Sequence, residues 1–169
     1  VDVTGCPPAE ATLLALWPLF RAGLVRGRVG VASVTGSSGS GAEPKRTTHH
    51  PERFQNFKAY RPLHHQHLPE ILQALGGGAA LDFVPCSAPV SRGIHATAFV
   101  PVGEAGEAEV RSAFAAAYAG EKFVRLLDEP PELRAVQGTN LADLGVTVGP
   151  GTACVFVAID NLGKGMAGA

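Results

Sequence analysis

Strand-like and helix-like runs do not alternate along this chain, and that most constrains what it can fold into. Period-two or continuous apolar patterns mark residues 29–35, 54–63, 81–90, 93–102 and 122–127 as strands. Residues 141–148 and 152–159 form a closing hairpin around Gly149-Pro150-Gly151. Helical spacing marks three segments. Residues 11–22 carry Leu13, Leu14, Leu16, Trp17 and Phe20 on one broad face and stop at Gly23. Leu68, Ile71, Leu72 and Leu75 line a second helix, and Val110, Phe114 and Tyr118 line a third over 107–119. Strands that outnumber helices without a βαβ rhythm predict an α+β fold, with a mixed, mostly antiparallel sheet and helices on one face. The 169 residues suit one domain spanning 1–169, with no internal repeat and no linker.

Composition narrows the partners. Lysine and arginine total 14 against 15 acids, so no basic stripe points to nucleic acid and no acidic tail to a solvating role. No apolar run approaches the roughly 20 residues that cross a bilayer. The first residues lack the charged and apolar regions of a signal peptide, and the missing initiator methionine is what a piece cut from a longer protein would show. Cys6, Cys86 and Cys154 are odd in number and far apart, giving neither metal spacing nor a disulfide framework. A reduced, cytoplasmic setting suits them. Cys86 and Cys154 lie in apolar strand-like runs and read as inert core thiols.

The densest chemistry lies in residues 59–71, where His64, His65 and His67 fall within four positions and Glu70 follows. Pro69 favours a first helical turn, so the histidines sit at a strand-to-helix junction, and period-two spacing points His65 and His67 the same way with His64 opposite. Two imidazoles on one rim suit proton transfer or a metal. Cys6, just before a helix N-terminus, reads either as a thiol whose ionised form the helix dipole favours or as a small buried cysteine. Pro7 and Pro8 suit a helix start but remove two N–H donors that would steady an anion. Residues 36–41, Gly-Ser-Ser-Gly-Ser-Gly, read as a flexible loop or as an anion-binding concavity of N–H groups. The polar stretch 43–53, with Lys45, Arg46, His49 and His50, is a solvated loop or one lip of a cleft. Arg92, at a strand corner, is an exposed turn residue or a bidentate anion ligand.

Several motifs in fixed order give the chain a resemblance. Gly5-Cys6 precedes a proline and an apolar helix, and Ser38-Gly39-Ser40-Gly41 follows the first strand. Tyr60 leads into His65-Gln66-His67-Leu68-Pro69-Glu70-Ile71. Arg92-Gly93-Ile94, Val136-Gln137-Gly138-Thr139-Asn140 and Asp160-Asn161-Leu162-Gly163-Lys164-Gly165 with Ala167-Gly168 complete the set. The chain resembles the catalytic and dimerisation domain of N-acetyl-gamma-glutamyl-phosphate reductases and their relatives acting on 2-aminoadipyl phosphate. It departs from them in one extra residue between Cys6 and its helix, in Gln66 for the usual arginine, and in His64 where glycine is frequent.

The resemblance implies a sheet like the C-terminal domain of glyceraldehyde-3-phosphate dehydrogenase, and a chain that works with the Rossmann domain of its own subunit, absent from this chain. It implies NADPH-dependent reduction of a small-molecule acyl phosphate, N-acetyl-gamma-glutamyl phosphate in arginine synthesis, through a thioester on Cys6, with His67 as acid–base. Glu70 would orient His67. His65, Glu70, Arg92 and Ser38 would bind substrate, Gly39, Gly41 and Asn161 would approach the cofactor, and no metal is implied. Subunits would pair as homodimers or homotetramers. The alternative substrate is 2-aminoadipyl phosphate on an acidic amino-group carrier protein in lysine synthesis, for which Lys45, Arg46 and residues 49–53 would form a basic docking lip. Two readings of another class are a metal module using His49, His50, His65 and His67, and a non-catalytic assembly domain.

Overall fold

In the computed structural model, which describes residues 7–41, 43–46 and 48–164, one seven-stranded sheet decides where everything else lies. Its strands are β1 (Val29–Thr35), β2 (Lys58–Ala59), β3 (Leu81–Ser87), β4 (Ile94–Gly103), β5 (Val124–Leu127), β6 (Ala142–Gly149) and β7 (Gly151–Ile159). They run in the order β2-β3-β1-β4-β7-β6-β5. The pairs β1–β3 and β5–β6 are parallel and the remaining neighbours antiparallel, which is the mixed sheet the sequence predicts. β6 and β7 form the expected hairpin, with Gly149 opposite Thr152. β3 and β4 follow each other closely in the chain but do not pair, because β1 lies between them and takes a partner on each edge.

Helices cover one face. α1 (Pro7–Arg21) crosses β4, β7 and β1, and α3 (Leu68–Leu75) and α4 (Glu107–Ala117) pack against it. α1 starts earlier than its apolar pattern, since Pro7 and Pro8 fall in the first turn, where a missing N–H costs nothing. Leu16 and Leu19 of α1, Ile71 of α3 and Phe114 of α4 are fully buried and share one core with Ala96, Ala98 and Val100 of β4. The opposite face is open around Phe99: burial alternates along β4, and Phe99, between Ala98 and Val100, is 50% exposed. Cys86 is buried and its thiol is pushed up by burial, as an inert core thiol should be. Cys154 is only half-buried, because β7 turns it toward the open face.

Three local expectations give way. Of the strand expected over 54–63, only β2 forms. Gln55, Arg61 and Leu63 adopt positive φ (55°, 46° and 63°), and Pro62 has no N–H to donate, so the segment breaks from the ladder. It still follows β3, with Tyr60 and Leu63 N–H donating to Pro85 and Phe83 carbonyls. Two single-turn helices, α2 (His50–Arg53) and α5 (Leu133–Val136), occupy stretches expected to be irregular.

Pro18 lies inside α1 and cannot donate to the carbonyl of Leu14. The Tyr118 hydroxyl, just beyond α4, donates to that carbonyl at 2.6 Å, and burial pushes the phenol well above its ordinary pKa. A helix-breaking residue is thus tolerated because a residue a hundred positions away supplies the missing donor.

Register gathers the motifs at one end of the sheet. Thr35 pairs with Ile94 and Ser87, and Ile159 pairs with both Ile94 and Ala142. The Gly/Ser loop after β1, the Arg92-Gly93 corner before β4, the 136–141 turn before β6 and Asp160-Asn161 after β7 therefore converge. No helix among the described residues is long and apolar enough to cross a membrane. Tyr118→Phe leaves the Leu14 carbonyl without its donor and should lower unfolding free energy by about 1–3 kcal/mol, read as a lower urea midpoint at unchanged slope; an unchanged midpoint would refute the compensation.

Candidate active site

Asp160 organises the convergent end. Its carboxylate is fully buried and accepts from Arg92 Nε at 2.6 Å, from Leu162 N–H at 2.8 Å, and from the N–H groups of Gly138 and Gly163. Burial alone would raise its pKa, but the Gly138 and Leu162 N–H groups and Arg92 together hold it below the usual value. Asn161, 1% exposed, uses Oδ1 to accept from Gly93 N–H at 2.6 Å and Nδ2 to donate to Ser38 Oγ at 3.1 Å. The Arg92 guanidinium remains partly exposed with Nε committed to Asp160, and its carbonyl accepts from Gln137.

The Gly/Ser loop folds as a 3₁₀ turn over Ser37–Ser40, and each of its three hydroxyls has a separate anchor. Ser37 Oγ meets His50 Nδ1 at 2.8 Å, Ser38 meets Asn161, and Ser40 Oγ accepts from Arg53 Nη1 at 2.6 Å. Its N–H groups are committed too: Ser37, Ser38 and Gly39 donate to the carbonyls of Val90, Ser91 and Gly36. Residues 37–39 therefore do not form the anion-binding concavity that the sequence suggests. Gly36 is required for a different reason, since a Cβ there would lie 2.8 Å from the Arg92 nitrogen.

Facing this loop across a cleft of about 960 Å³ stands the histidine segment. His65 and His67 do turn the same way, with ring centroids 5.4 Å apart, while His64 is exposed. They sit in turns before α3 rather than at a strand end, because β2 stops at Ala59. His67 precedes α3 immediately, and its Nδ1 lies 2.8 Å from Glu70 Oε2. A carboxylate only accepts, so Nδ1 carries the proton and Nε2 keeps its lone pair. Gln66 Nε2, 3.0 Å away, donates to that lone pair, and Arg61 donates to Gln66 Oε1 at 2.8 Å. The line Arg61–Gln66–His67–Glu70 thus holds one tautomer. Gln66, where the resemblance has arginine, is what presents this amide.

His65 is 8% exposed, edge-on to Phe83 and Tyr60. Burial first, then the neighbouring His67 and Arg61, keep its pKa below the ordinary imidazole value. It is a neutral group of the cleft wall, its Nδ1 accepting from the His67 N–H.

Cys6 lies outside the described residues, as do Gly165, Ala167 and Gly168. Pro7 and Pro8, which follow Cys6 directly, line the same cleft as His65, His67 and Gly39. The first turn of α1 is pinned there: Glu10, buried, is paired with Lys164 at 2.7 Å. Burial raises the Glu10 pKa and Lys164 opposes that rise.

The polar stretch 43–53 is a lip of the cleft. The wall carries Lys45, Arg46, Arg53, Lys58 and Arg61 against the carboxylate of Glu52, so a chain of near-neutral charge has an electropositive cleft that fits an anionic ligand. Lys45 pairs with Glu43 and Arg46 with Glu52 at the rim. Sequence reasoning placed Arg53 only in the exposed docking lip, whereas it is 4% exposed; it ends a polar stretch and nothing local marks it as buried. Among the described residues no three His, Cys, Asp or Glu could share a metal; His50 is turned to Ser37, away from the α3 histidines, which leaves the metal-module alternative without a ligand set.

Comparison with known proteins agrees in kind. A family model described as semialdehyde dehydrogenase, dimerisation domain, matches residues 6–161. An N-acetyl-gamma-glutamyl-phosphate reductase of Methanopyrus kandleri is 45% identical over 170 residues, covering 97% of this chain and 49% of that protein. A reductase of the same name from Corynebacterium glutamicum is 41% identical, over 100% of this chain and 51% of its own. The chain thus spans about half the length of the curated relatives it matches. Among solved structures, a probable aspartate-semialdehyde dehydrogenase of Pseudomonas aeruginosa superposes with a TM-score of 0.74 at 18% identity, over 96% of this chain and 57% of that one. At that identity the likeness is one of fold.

The cleft histidine makes a stability prediction. Unfolded, His65 takes its proton near pH 6.5, and folded it takes it at lower pH. Below pH 6.5 the unfolded chain therefore binds more protons, so a contribution intact above that pH is lost as pH falls through the folded value. His95, half-buried and shifted the same way by desolvation, adds to the slope. The urea midpoint should fall between pH 7.5 and 5.5, and fall less in His65→Gln; equal falls would show that His65 titrates as in the unfolded chain.

Proposed function

Since the chain belongs to the semialdehyde dehydrogenase dimerisation-domain family, we propose that residues 1–169 are the catalytic and dimerisation domain of an N-acetyl-gamma-glutamyl-phosphate reductase of the cytoplasm. One observation carries this reading. His67, paired with Glu70, lines an electropositive cleft that Pro7 and Pro8, the residues next to Cys6, also line. Acyl-phosphate chemistry needs that set: a thiol, a base oriented toward it, and cations for the leaving phosphate.

His67 Nε2, fixed as the basic nitrogen by the Nδ1–H bond to Glu70, exchanges its Gln66 contact for the Cys6 thiol and takes the thiol proton. The thiolate attacks the acyl carbon, the C–O bond to phosphate breaks, and the phosphate dianion departs into the cationic wall, leaving a thioester on Cys6. The imidazolium, stabilised by Glu70, returns its proton to the developing oxyanion. When bound, NADPH would supply a hydride to the thioester carbon. The Cys6 hemithioacetal then loses its hydroxyl proton and its C–S bond breaks, releasing the semialdehyde and returning the Cys6 thiolate. The 36–41 loop is a poor pyrophosphate cradle, since the 37–39 N–H groups are committed and the Asn161 amide is turned inward. The dinucleotide is therefore assigned to a Rossmann domain of the same subunit, with Gly39 and Gly41 at most bordering the nicotinamide. The helix-free sheet face around Phe99 supports association of subunits as a dimer or tetramer through this domain.

Between the two substrates the lip favours the free glutamyl phosphate. A docking surface for an acidic carrier needs unpaired cations, and Lys45 and Arg46 are already matched to Glu43 and Glu52.

The test is alkylation of Cys6 against pH in the full-length protein, followed by mass spectrometry. The rate should titrate well below the roughly 8.5 of a free thiol and slow at least tenfold in His67→Ala, while Glu70→Gln lowers turnover by about 10²-fold, the small end of acid–base effects. A Cys6 that alkylates like free cysteine in wild type and His67→Ala alike would overturn the reading.

A further inference from the structure

Arg53 is a buried cation without a carboxylate. Nη1 donates to Ser40 Oγ at 2.6 Å and to the Gly36 carbonyl at 3.4 Å, and Nη2 donates to the Thr35 carbonyl at 2.6 Å. These are neutral acceptors. Nε is buried and donates to nothing among the described residues. Of five N–H donors, three are used, and Nε–H and one Nη2–H are left. Glu52, the adjacent residue in sequence, is paired with Arg46 instead. A charge placed so is costly unless an opposite charge arrives, and burial lowers its pKa, the electrostatic mark of that cost.

Its place indicates what arrives. Arg53 lines the cleft together with Ser40, Gly39 and His67. The groups that the sequence suggested for an anion are committed elsewhere: residues 37–39 by their N–H groups, and Arg92 by its Nε bond to Asp160. Among the described cations of the cleft wall, Arg53 is the one that joins burial to unused donors. A guanidinium presents its donors as a planar fork that matches a carboxylate or phosphate.

We propose that Arg53 is the oxyanion subsite of this cleft, taking a phosphate or carboxylate group of the ligand on its unused donors. The proposal deepens the reductase reading and rests on it for the identity of the anion, which is either the leaving phosphate or the carboxylate of the same substrate. The same residue ties the 3₁₀ turn to the end of β1, so an anion bound there would also steady the turn that Asn161 holds from the other side.

The experiment measures calorimetric binding of inorganic phosphate and, separately, of N-acetylglutamate to the full-length protein, in wild type, Arg53→Gln and Arg53→Lys. Removing a charge-assisted bond should weaken one of the two probes about 10- to 100-fold in Arg53→Gln. Arg53→Lys keeps the charge without the fork and should still weaken that probe severalfold. Loss for phosphate assigns the leaving group, and loss for N-acetylglutamate assigns the carboxylate. Where Arg53→Gln does not fold, Arg53→Lys decides. Affinities for both probes unchanged in a folded variant overturn the proposal and leave Arg53 a structural tie. Because binding is read without turnover, a protein that lacks reductase activity would still support or sink the subsite. In an active enzyme run in the phosphate-dependent oxidising direction, KM should rise for the same anion while kcat changes less, a split that a purely structural tie would not produce.

Discussion

A single buried carboxylate holds the functional end of this protein together. Asp160 directly follows β7, and its oxygens take Arg92 and the Gly138 N–H from distant segments together with the Leu162 and Gly163 N–H groups of its own turn. An ionised carboxylate cannot be buried without such partners, and each partner is a loop that then has no freedom to move away. Asn161 repeats the device one residue on, fastening the Arg92-Gly93 corner and the serine turn to each other. The two residues make one scaffold from three loops.

That scaffold has a cost which explains the shape of the chemistry. Donors that lock loops are not available to ligands. The serine turn, which carries three hydroxyls and a run of N–H groups, is rigid because nearly all of them are engaged. The side chains left to meet a ligand are the Arg61–Gln66–His67–Glu70 line and the cations around Arg53, and in the proposed reading these carry binding and proton transfer. Preorganised polar groups in a partly closed cleft act more strongly on developing charge than the same groups in water. The near-neutral chain concentrates its positive charge where an anion would be handled.

Much of the architecture was legible in residue order. β1 and α3 lie within a residue or so of where apolar periodicity ends them, and Gly149-Pro150-Gly151 gives the hairpin at once. The pairing of His65 with His67 was legible from spacing alone, although the segment is a set of turns and not a strand. The strand over 54–63 failed because three non-glycine residues take left-handed φ, a choice imposed by packing along β3 and invisible in local propensity. Pro18 sits inside the helix expected over 11–22, and the donor it lacks comes from Tyr118, which nothing local in the sequence announces.

By itself, the sequence determined what repeats locally: the periods of strands and helices, the glycines that turns need, and the types of group able to give or take protons. The tertiary structure decided which of those groups remain available. Burial and pairing are properties of residues distant in the chain, as when Gly93 closes over Asn161 and Gly36 over Arg92. Only there does Arg53, one polar residue in a polar stretch, become a buried cation without a counter-charge, because desolvation depends on what surrounds a group and not on its sequence neighbours.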